Sequence, residues 1–368
     1  MVSNELGGDG VVGIRERVGE LCYASGLLRP LQMVRALMRN DLRILAYHRV
    51  LDIADAAAFE FDLELISADA KGFRAQLDYL KRRFEPMRLS DMLAALASGK
   101  PLPKNAVAVT FDDGYEDNYR VAFPILRELG VPATFFVSTG HIDSGKPFAY
   151  DWLVHMLLRT TALRLVLPEL QLDVPIPPQR AARRLFAADL LRHIKVFDSA
   201  AQMAAIARME REWRMPREEN CTDCLPMSWN QLREMHAAGF EIGSHGVSHQ
   251  MLAKLPDTQL QLELQQSKAT LERELGATAA FLAYPVGGDH AFDHRVIKAT
   301  REAGYAAACS YVYGTNRRSS WNRFSLNRLP VEREMGTGWF AAMLTVPEFM
   351  GYPVKNLSTP MSDAACSS

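Results

Sequence analysis

Ala106-Val107-Ala108-Val109-Thr110-Phe111-Asp112-Asp113-Gly114 is the stretch that decides the fold. Its first six residues are an apolar run of the kind buried on both faces of a parallel sheet, and the run ends abruptly in two carboxylates and a glycine. Downstream, residues 119–129 carry helical spacing closed by Gly130, and residues 132–138 (PATFFVS) form a second buried run. Upstream, residues 42–47 (LRILAY) form a third, followed by a helix in which Phe73, Leu77 and Leu80 share a face and Lys81, Arg82 and Arg83 close the last turn. Strand alternating with helix predicts an α/β protein built on a parallel sheet, open or closed into a barrel.

From residue 151 to about 220 the rhythm stops. Leu, Ala and Arg dominate, strand signals are few, and prolines cluster at Pro175, Pro177 and Pro178, so this stretch reads as a mostly helical insertion. The alternation resumes with a helix near 229–238, a strand at 240–243, and a long helix that Asp257 can cap and Gly276 ends. Strands follow at 280–284, 305–308 and 325–330. Three parts are expected: an amphipathic helical segment over 1–40, a catalytic domain over 41–345, and a small, polar, disordered tail over 346–368.

With 42 Lys+Arg against 43 Asp+Glu, the formal charge of the 368 residues is -1, which gives no bulk electrostatic case for a nucleic-acid partner. A 48% hydrophobic and 23% charged composition excludes disorder and collagen-like repetition. The five cysteines (Cys22, Cys221, Cys224, Cys309 and Cys366) are scattered and odd in number, which argues against a disulfide framework. Residues 1–10 are Gly-rich and acidic, Arg15, Arg17 and Glu20 interrupt any signal-like apolar core, and no run approaches the ~18 apolar residues of a spanning helix. The expected address is therefore the cytoplasm. Val11, Ile14, Val18 and Leu21, a break at 26–30, then Leu31, Val34, Leu37 and Met38 have helical spacing, decorated by Arg29, Arg35 and Arg39. Two readings stand: a basic amphipathic helix peripheral to the inner membrane, or a helix packed on the domain. Oligomeric state is not legible.

In parallel α/β folds, ligands and catalytic groups collect at the C-terminal strand ends. Asp112 and Asp113 sit at such an end, where one carboxylate can bind a cation while the other stays free; alternatively they cap a helix. His245 and His249, in Gly243-Ser244-His245-Gly246-Val247-Ser248-His249, leave another strand with four-residue spacing that brings two imidazoles onto one ion. Two histidines and one carboxylate suit a catalytic divalent metal, Zn²⁺ first, with Co²⁺, Ni²⁺ or Fe²⁺ as alternatives.

The segments Thr110-Phe111-Asp112-Asp113-Gly114-Tyr115 and Ser244-His245-Gly246-Val247-Ser248-His249 together resemble the TFDDG and H-x-x-x-H motifs of the polysaccharide deacetylases of carbohydrate esterase family 4, the NodB homology domain. The resemblance runs from about residue 42 to 331. It implies a deformed (β/α)7 barrel, here with a helical insertion, and metal-dependent hydrolysis that removes acetyl groups from N-acetylhexosamine units of a polysaccharide or glycan precursor. Carried over by position, Asp112 would be the general base, and Asp113, His245 and His249 the metal ligands. Tyr115 and Pro285 would border the substrate. Ala283-Tyr284-Pro285-Val286-Gly287 matches the third family motif and would offer the Val286 N–H to an oxyanion.

Two departures matter. Ala283 stands where the family places the Arg that steadies the base; Arg328, after the last strand, is the candidate replacement, against a surface ion pair. The late L-x-x-H motif is absent, since no His follows His294. Ala46-Tyr47-His48-Arg49-Val50 resembles the early Tyr-His pair of the biofilm-polysaccharide branch, whose motif order is rotated, and makes His48 the candidate general acid; the alternative is a helix cap. A catalytically weakened carbohydrate-binding member, and an O-acetyl esterase on the same metal site, are the rival functions. Cys221 and Cys224 read as loop cysteines, His290 and His294 as flanking a helix start, and Trp152 and Trp321 as either core residues or sugar-stacking platforms.

Overall fold

The computed structural model describes residues 6–39, 41–217, 223–317 and 321–351. Seven parallel strands form the centre: β1 (Asp41–Tyr47), β2 (Ala106–Phe111), β3 (Ala133–Val137), β4 (Glu241–Ser244), β5 (Phe281–Ala283), β6 (Ala307–Tyr313) and β7 (Leu326–Pro330). Their lateral order is β1-β7-β6-β5-β4-β3-β2, and β1 pairs back onto β2 from Arg43↔Val107 to Tyr47↔Phe111, which closes the ring. The ring is thin in two places. Ladder β1/β7 rests on Leu45↔Leu329 and Ala46↔Pro330, and β4/β5 on Leu282↔Ser244 alone. This is the deformed (β/α)7 barrel expected from the sequence.

Side chains alternate along each strand. Leu42, Ile44, Ala106, Ala108, Phe136, Ala283, Ala307, Cys309 and Leu326 form one buried cluster, filling the barrel. Leu45, Tyr47, Val107, Val109, Phe111, Phe135, Val137 and Leu329 face the other way, into the layer shared with the surrounding helices. So many alanines inside leave room for Phe136, whose ring lies where a Cβ on Gly243 would stand, 2.6 Å from Cδ1. Continuing that alternation to the C-terminal ends brings Thr110, Asp112 and Arg328 together at the barrel mouth.

Several expectations need correction. The insertion is helical over Ala149–Arg159, Arg180–Ile194 and Ser199–Glu212, with its own core that includes Trp152, Leu157, Phe186 and Ile206. It also contains an antiparallel hairpin, Arg164–Leu167 with Leu172–Pro175, in which Leu165 and Leu167 are buried and Arg164 and Val166 exposed. A period of two over four residues is too short a signal to stand out in a Leu- and Arg-rich stretch. Asp257 is the first residue of its helix rather than the cap, and pairs with Arg295 at 2.8 Å.

At the N-terminus, helices span Leu6–Ala24 and Leu28–Met38. The second restarts before Pro30, which sits in its first turn, where a missing N–H breaks no helical bond. The 346–368 tail is ordered at its start: Pro347–Met350 is helical and Glu348 pairs with Arg35 at 2.8 Å and with Arg39. Residues 352–368 lie outside the described residues.

Candidate active site

Asp113, at the end of β2, and His245 and His249, after β4, each turn a ligand atom into one point, with all three atoms within 4.8 Å of one another. His249 Nε2 lies 3.0 Å and His245 Nε2 3.4 Å from Asp113 Oδ1. Nδ1 of His245 is 2.8 Å from the Ala283 carbonyl oxygen, an acceptor only, so this nitrogen carries the proton and donates. The Nε2 lone pair then faces a carboxylate oxygen, and Asp113 Oδ1 is buried without a hydrogen-bond donor. Two acceptors pointed at each other in a buried cleft need either a proton on the imidazole or a cation between them. The donor set therefore fits a divalent metal, and the backbone carbonyl orienting His245 is the outer support such sites use.

The turns that aim these groups are strained. Asp113 has φ 73° and His249 φ 57°, left-handed values uncommon for residues with a side chain. Glu263, on the helix Asp257–Leu275, holds the histidine turn: its carboxylate accepts the Val247 N–H at 2.7 Å, the Ser248 N–H at 3.1 Å and the Ser248 hydroxyl. A Cβ on Gly246 would come within 2.9 Å of Glu263 Oε2, so the glycine is what lets the carboxylate approach. Sequence reading missed Glu263, which stands among polar residues in a helix whose leucines drew attention. Glu263→Ala should weaken metal affinity ~10–100-fold, the usual effect of losing outer support, read by chelator competition; unchanged affinity would show that the turn holds itself.

Asp112 is buried beside the triad and grips Arg328 in a bidentate pair, 2.7 Å from one guanidinium nitrogen to Oδ1 and 2.6 Å from the other to Oδ2. Arg328 is wholly buried and also donates to the Ser310 carbonyl at 2.7 Å and to Thr110 Oγ1 at 3.2 Å. Burial pushes the Asp112 carboxyl up, but Arg328, His245 and His48 together outweigh it and leave the group below its ordinary value. Arg328 thus occupies the place that Ala283 leaves vacant, reached from β7 instead of β5, and the surface ion pair alternative fails on burial. Arg328→Met would strand a buried carboxylate, and we expect ~3–5 kcal/mol of lost unfolding free energy. Denaturant titration checks this; a loss below ~1 kcal/mol would mean that Asp112 is adequately held by other groups.

His48 follows β1 on the inward-facing parity and lies at the same mouth. Its Nδ1 is 3.4 Å from the Tyr311 hydroxyl, the two rings are 5.2 Å apart, and its backbone N–H donates to Ser67 Oγ at 2.9 Å. No helix begins there, since Arg49–Val50 is a strand, so the cap reading is withdrawn. Burial lowers the His48 pKa, while Asp113 and Asp112 pull it the other way. Tyr311 was also missed: β6 runs on to Tyr313, beyond the expected end at residue 308.

On the loop after β5, Val286 has φ 64°, an outlier for a β-branched residue. Pro285 Cγ lies 3.6 Å from a Cβ position on Gly246, which sets the loop against the histidine turn. Tyr115 requires correction. Its phenol is buried, donates to Asp151 at 3.3 Å and stacks under the Arg49 guanidinium at 4.4 Å, so the side chain is spent on the insertion core. Arg49 bridges Asp117 (2.9 Å) and Asp151 (3.7 Å), tying the early motif to the insertion.

Trp152 belongs to the insertion core and donates to the Met215 carbonyl. Trp321 packs near Asn316–Arg317, which pairs with the start of β1, the end opposite the metal group. His294 opens the helix His294–Glu302, capped by Asp293. Cys224 is buried, and Cys221 lies outside the described residues.

Barrel and site together define a class. Residues 99–308, more than half of the chain, match the family model for polysaccharide deacetylase, and the chain belongs to that family. It is 34% identical over 106 residues to the poly-beta-1,6-N-acetyl-D-glucosamine N-deacetylase of Escherichia coli, a match covering 28% of this chain and 15% of that protein. With the enzyme of the same name from Staphylococcus epidermidis, identity is 30% over 113 residues, covering 29% of this chain and 39% of the relative. The chain thus matches well under half the length of these relatives. The structure of Streptococcus pyogenes deacetylase PplD in complex with acetate superposes with a TM-score of 0.55 at 18% identity, covering 84% of this chain and 98% of that one. That likeness concerns the fold.

Proposed function

We propose that this protein hydrolyses N-acetyl groups from N-acetylhexosamine units of a polysaccharide or glycan precursor, releasing acetate and leaving a free amine. The observation that carries the reading is the convergence of Asp113, His245 and His249 beside an arginine-held Asp112. Those three residues would hold a divalent ion, Zn²⁺ in first place, with Co²⁺, Ni²⁺ or Fe²⁺ suiting the same donors. When bound, the ion supplies Lewis-acid polarisation of the acetamide carbonyl.

The chain's own residues do the rest. Asp112, kept ionised by Arg328, takes a proton from the attacking water as its oxygen bonds to the acetyl carbon. The Val286 N–H faces the carbonyl oxygen as negative charge develops there. His48 gives its proton to the amine nitrogen as the C–N bond breaks, because an unprotonated amine is a poor leaving group. Water and amide become acetic acid and amine; Asp112 then releases its proton and His48 regains one through solvent, and the acid ionises to acetate, its proton going to the free amine or to solvent.

The carbohydrate-binding alternative rested on the missing arginine, and Arg328 removes its main support. Acetate and free amine, measured together on N-acetylglucosamine oligomers, test the reading. Equal release is expected. Sugar binding without release would favour the binding protein, and release from acetylated xylan alone an O-acetyl esterase. A cytoplasmic address, with a precursor substrate on that side of the membrane, belongs to the same proposal; recovery of the mature protein from periplasm or medium would overturn it.

A further inference from the structure

The helix Leu28–Met38 is amphipathic in the wrong sense for a soluble surface. It buries Leu28, Gln32 and Arg35, and turns Leu27, Leu31, Val34 and Met38 outward at i, i+4, i+7 and i+11. Gln32 donates inward to the Arg83 carbonyl at 2.7 Å, and Arg35 pairs with Asp41 and Glu348. The polar groups are thus consumed inside while Leu37 and Met38 stand 75% and 79% exposed. The preceding helix continues the pattern, with Ile14, Val18 and Leu21 exposed on one face and its Gly19 set against Trp339. Ten of the sixteen large hydrophobic residues exposed among the described residues fall between Ile14 and Met38. Phe349, next to the Glu348 that bonds Arg35 and Arg39, is also 75% exposed.

The edge of this face is basic. Residues 27–39 contain three arginines and no carboxylate; Arg35 is turned inside and Arg39 pairs with Glu348, which leaves Arg29 free on the rim. Exposed Arg29 has no acidic partner among the described residues, and the Gln32–Arg83 bond brings the end of Ala70–Arg83, with exposed Arg82, to the same helix. No described helix is long and apolar enough to cross a membrane. An apolar face edged by unpaired arginine matches the interface of an anionic bilayer, where helices lie in the plane. A two-fold dimer would instead bring the same basic rims together.

We propose that the helical pair Leu6–Ala24 and Leu28–Met38 docks this protein in the plane of an anionic lipid surface, apolar face down. The proposal is independent of the deacetylase reading, because it is read without turnover. Full-length protein is sedimented with vesicles of phosphatidylcholine alone or mixed with phosphatidylglycerol. Binding to the mixed vesicles is expected. It should fall at least ~10-fold in Leu31→Glu/Leu37→Glu, which removes two buried side chains from the lipid face, and should weaken with added salt. These positions are exposed, so thermal unfolding should match wild type. Arg29→Glu/Arg82→Glu should bind phosphatidylcholine as wild type does and lose the preference for the anionic lipid. Absence of vesicle binding would overturn the proposal. A dimer in light scattering that Leu31→Glu/Leu37→Glu splits would assign the face to a second copy. A monomer without lipid affinity would leave the face to the chain's own residues beyond 351.

Discussion

Asp112→Asn protein should carry as much metal as wild type and release no measurable acetate, whereas Asp113→Ala, His245→Ala and His249→Ala should each lose metal and activity together. The two carboxylates are adjacent in sequence but differently employed. Asp113 aims an oxygen at two imidazole nitrogens, while both Asp112 oxygens are taken by Arg328. Asn keeps the shape of Asp112 but cannot accept a proton, and removal of a general base costs ~10²–10⁴ in turnover. The substitution also leaves the buried Arg328 short of a counter-charge, so metal content must be read on protein shown to be folded. Loss of metal from folded Asp112→Asn would reverse the division of labour between the two carboxylates.

His48→Ala should separate two substrates. The imidazole sits at the barrel mouth beside Tyr311 and within the field of Asp112 and Asp113, outside the metal-ligating triad. A general acid matters most for the most basic leaving group. Turnover of N-acetyl sugars is expected to fall ~10²–10⁴-fold with metal stoichiometry intact, while aryl acetates, whose phenolate leaves unaided, should be hydrolysed at near wild-type rate. Equal losses on amide and activated ester would sink the assignment. His141 would then be the next donor to test, because its ring stacks 4.0 Å from Phe148, which itself abuts His249. Burial holds that imidazole down to about 3, so near neutral pH it carries no second proton to give. His155 is packed between Phe61 and Trp152 and serves the insertion core.

What could be read from the sequence was what local pattern determines. The runs at 42–47 and 106–111 are strands because their alternating faces are both buried, and the same alternation puts Asp112 inside the barrel. The four-residue spacing of His245 and His249 reports a tight turn after a strand, and their convergence with Asp113 on a site that could hold a metal follows from it. Arg328 was legible as a candidate because the last strand carries an arginine to the C-terminal end of the barrel, where catalytic groups collect. The other features depend on tertiary placement. Glu263 is one polar residue among many on its helix until the His245–His249 turn is laid over it. Tyr311 needed β6 to continue through a Cys-Ser pair. Tyr115 follows the motif in sequence, yet Arg49 and Asp151 draw its phenol away. Arg35 was read as one of three arginines decorating an exposed face; Asp41, at the start of β1, takes it inside and leaves the apolar residues outside.

We expect acetate release from an N-acetylated sugar to require one divalent ion held by Asp113, His245 and His249. Titrating Zn²⁺ into chelator-stripped protein while measuring acetate from N-acetylglucosamine oligomers tests it most directly. No release is expected at the start, then a rise in proportion to metal and a plateau at one equivalent per chain that Asp113→Ala never reaches. Acetate release undiminished by stripping, or a rise that Asp113→Ala reproduces, would contradict it.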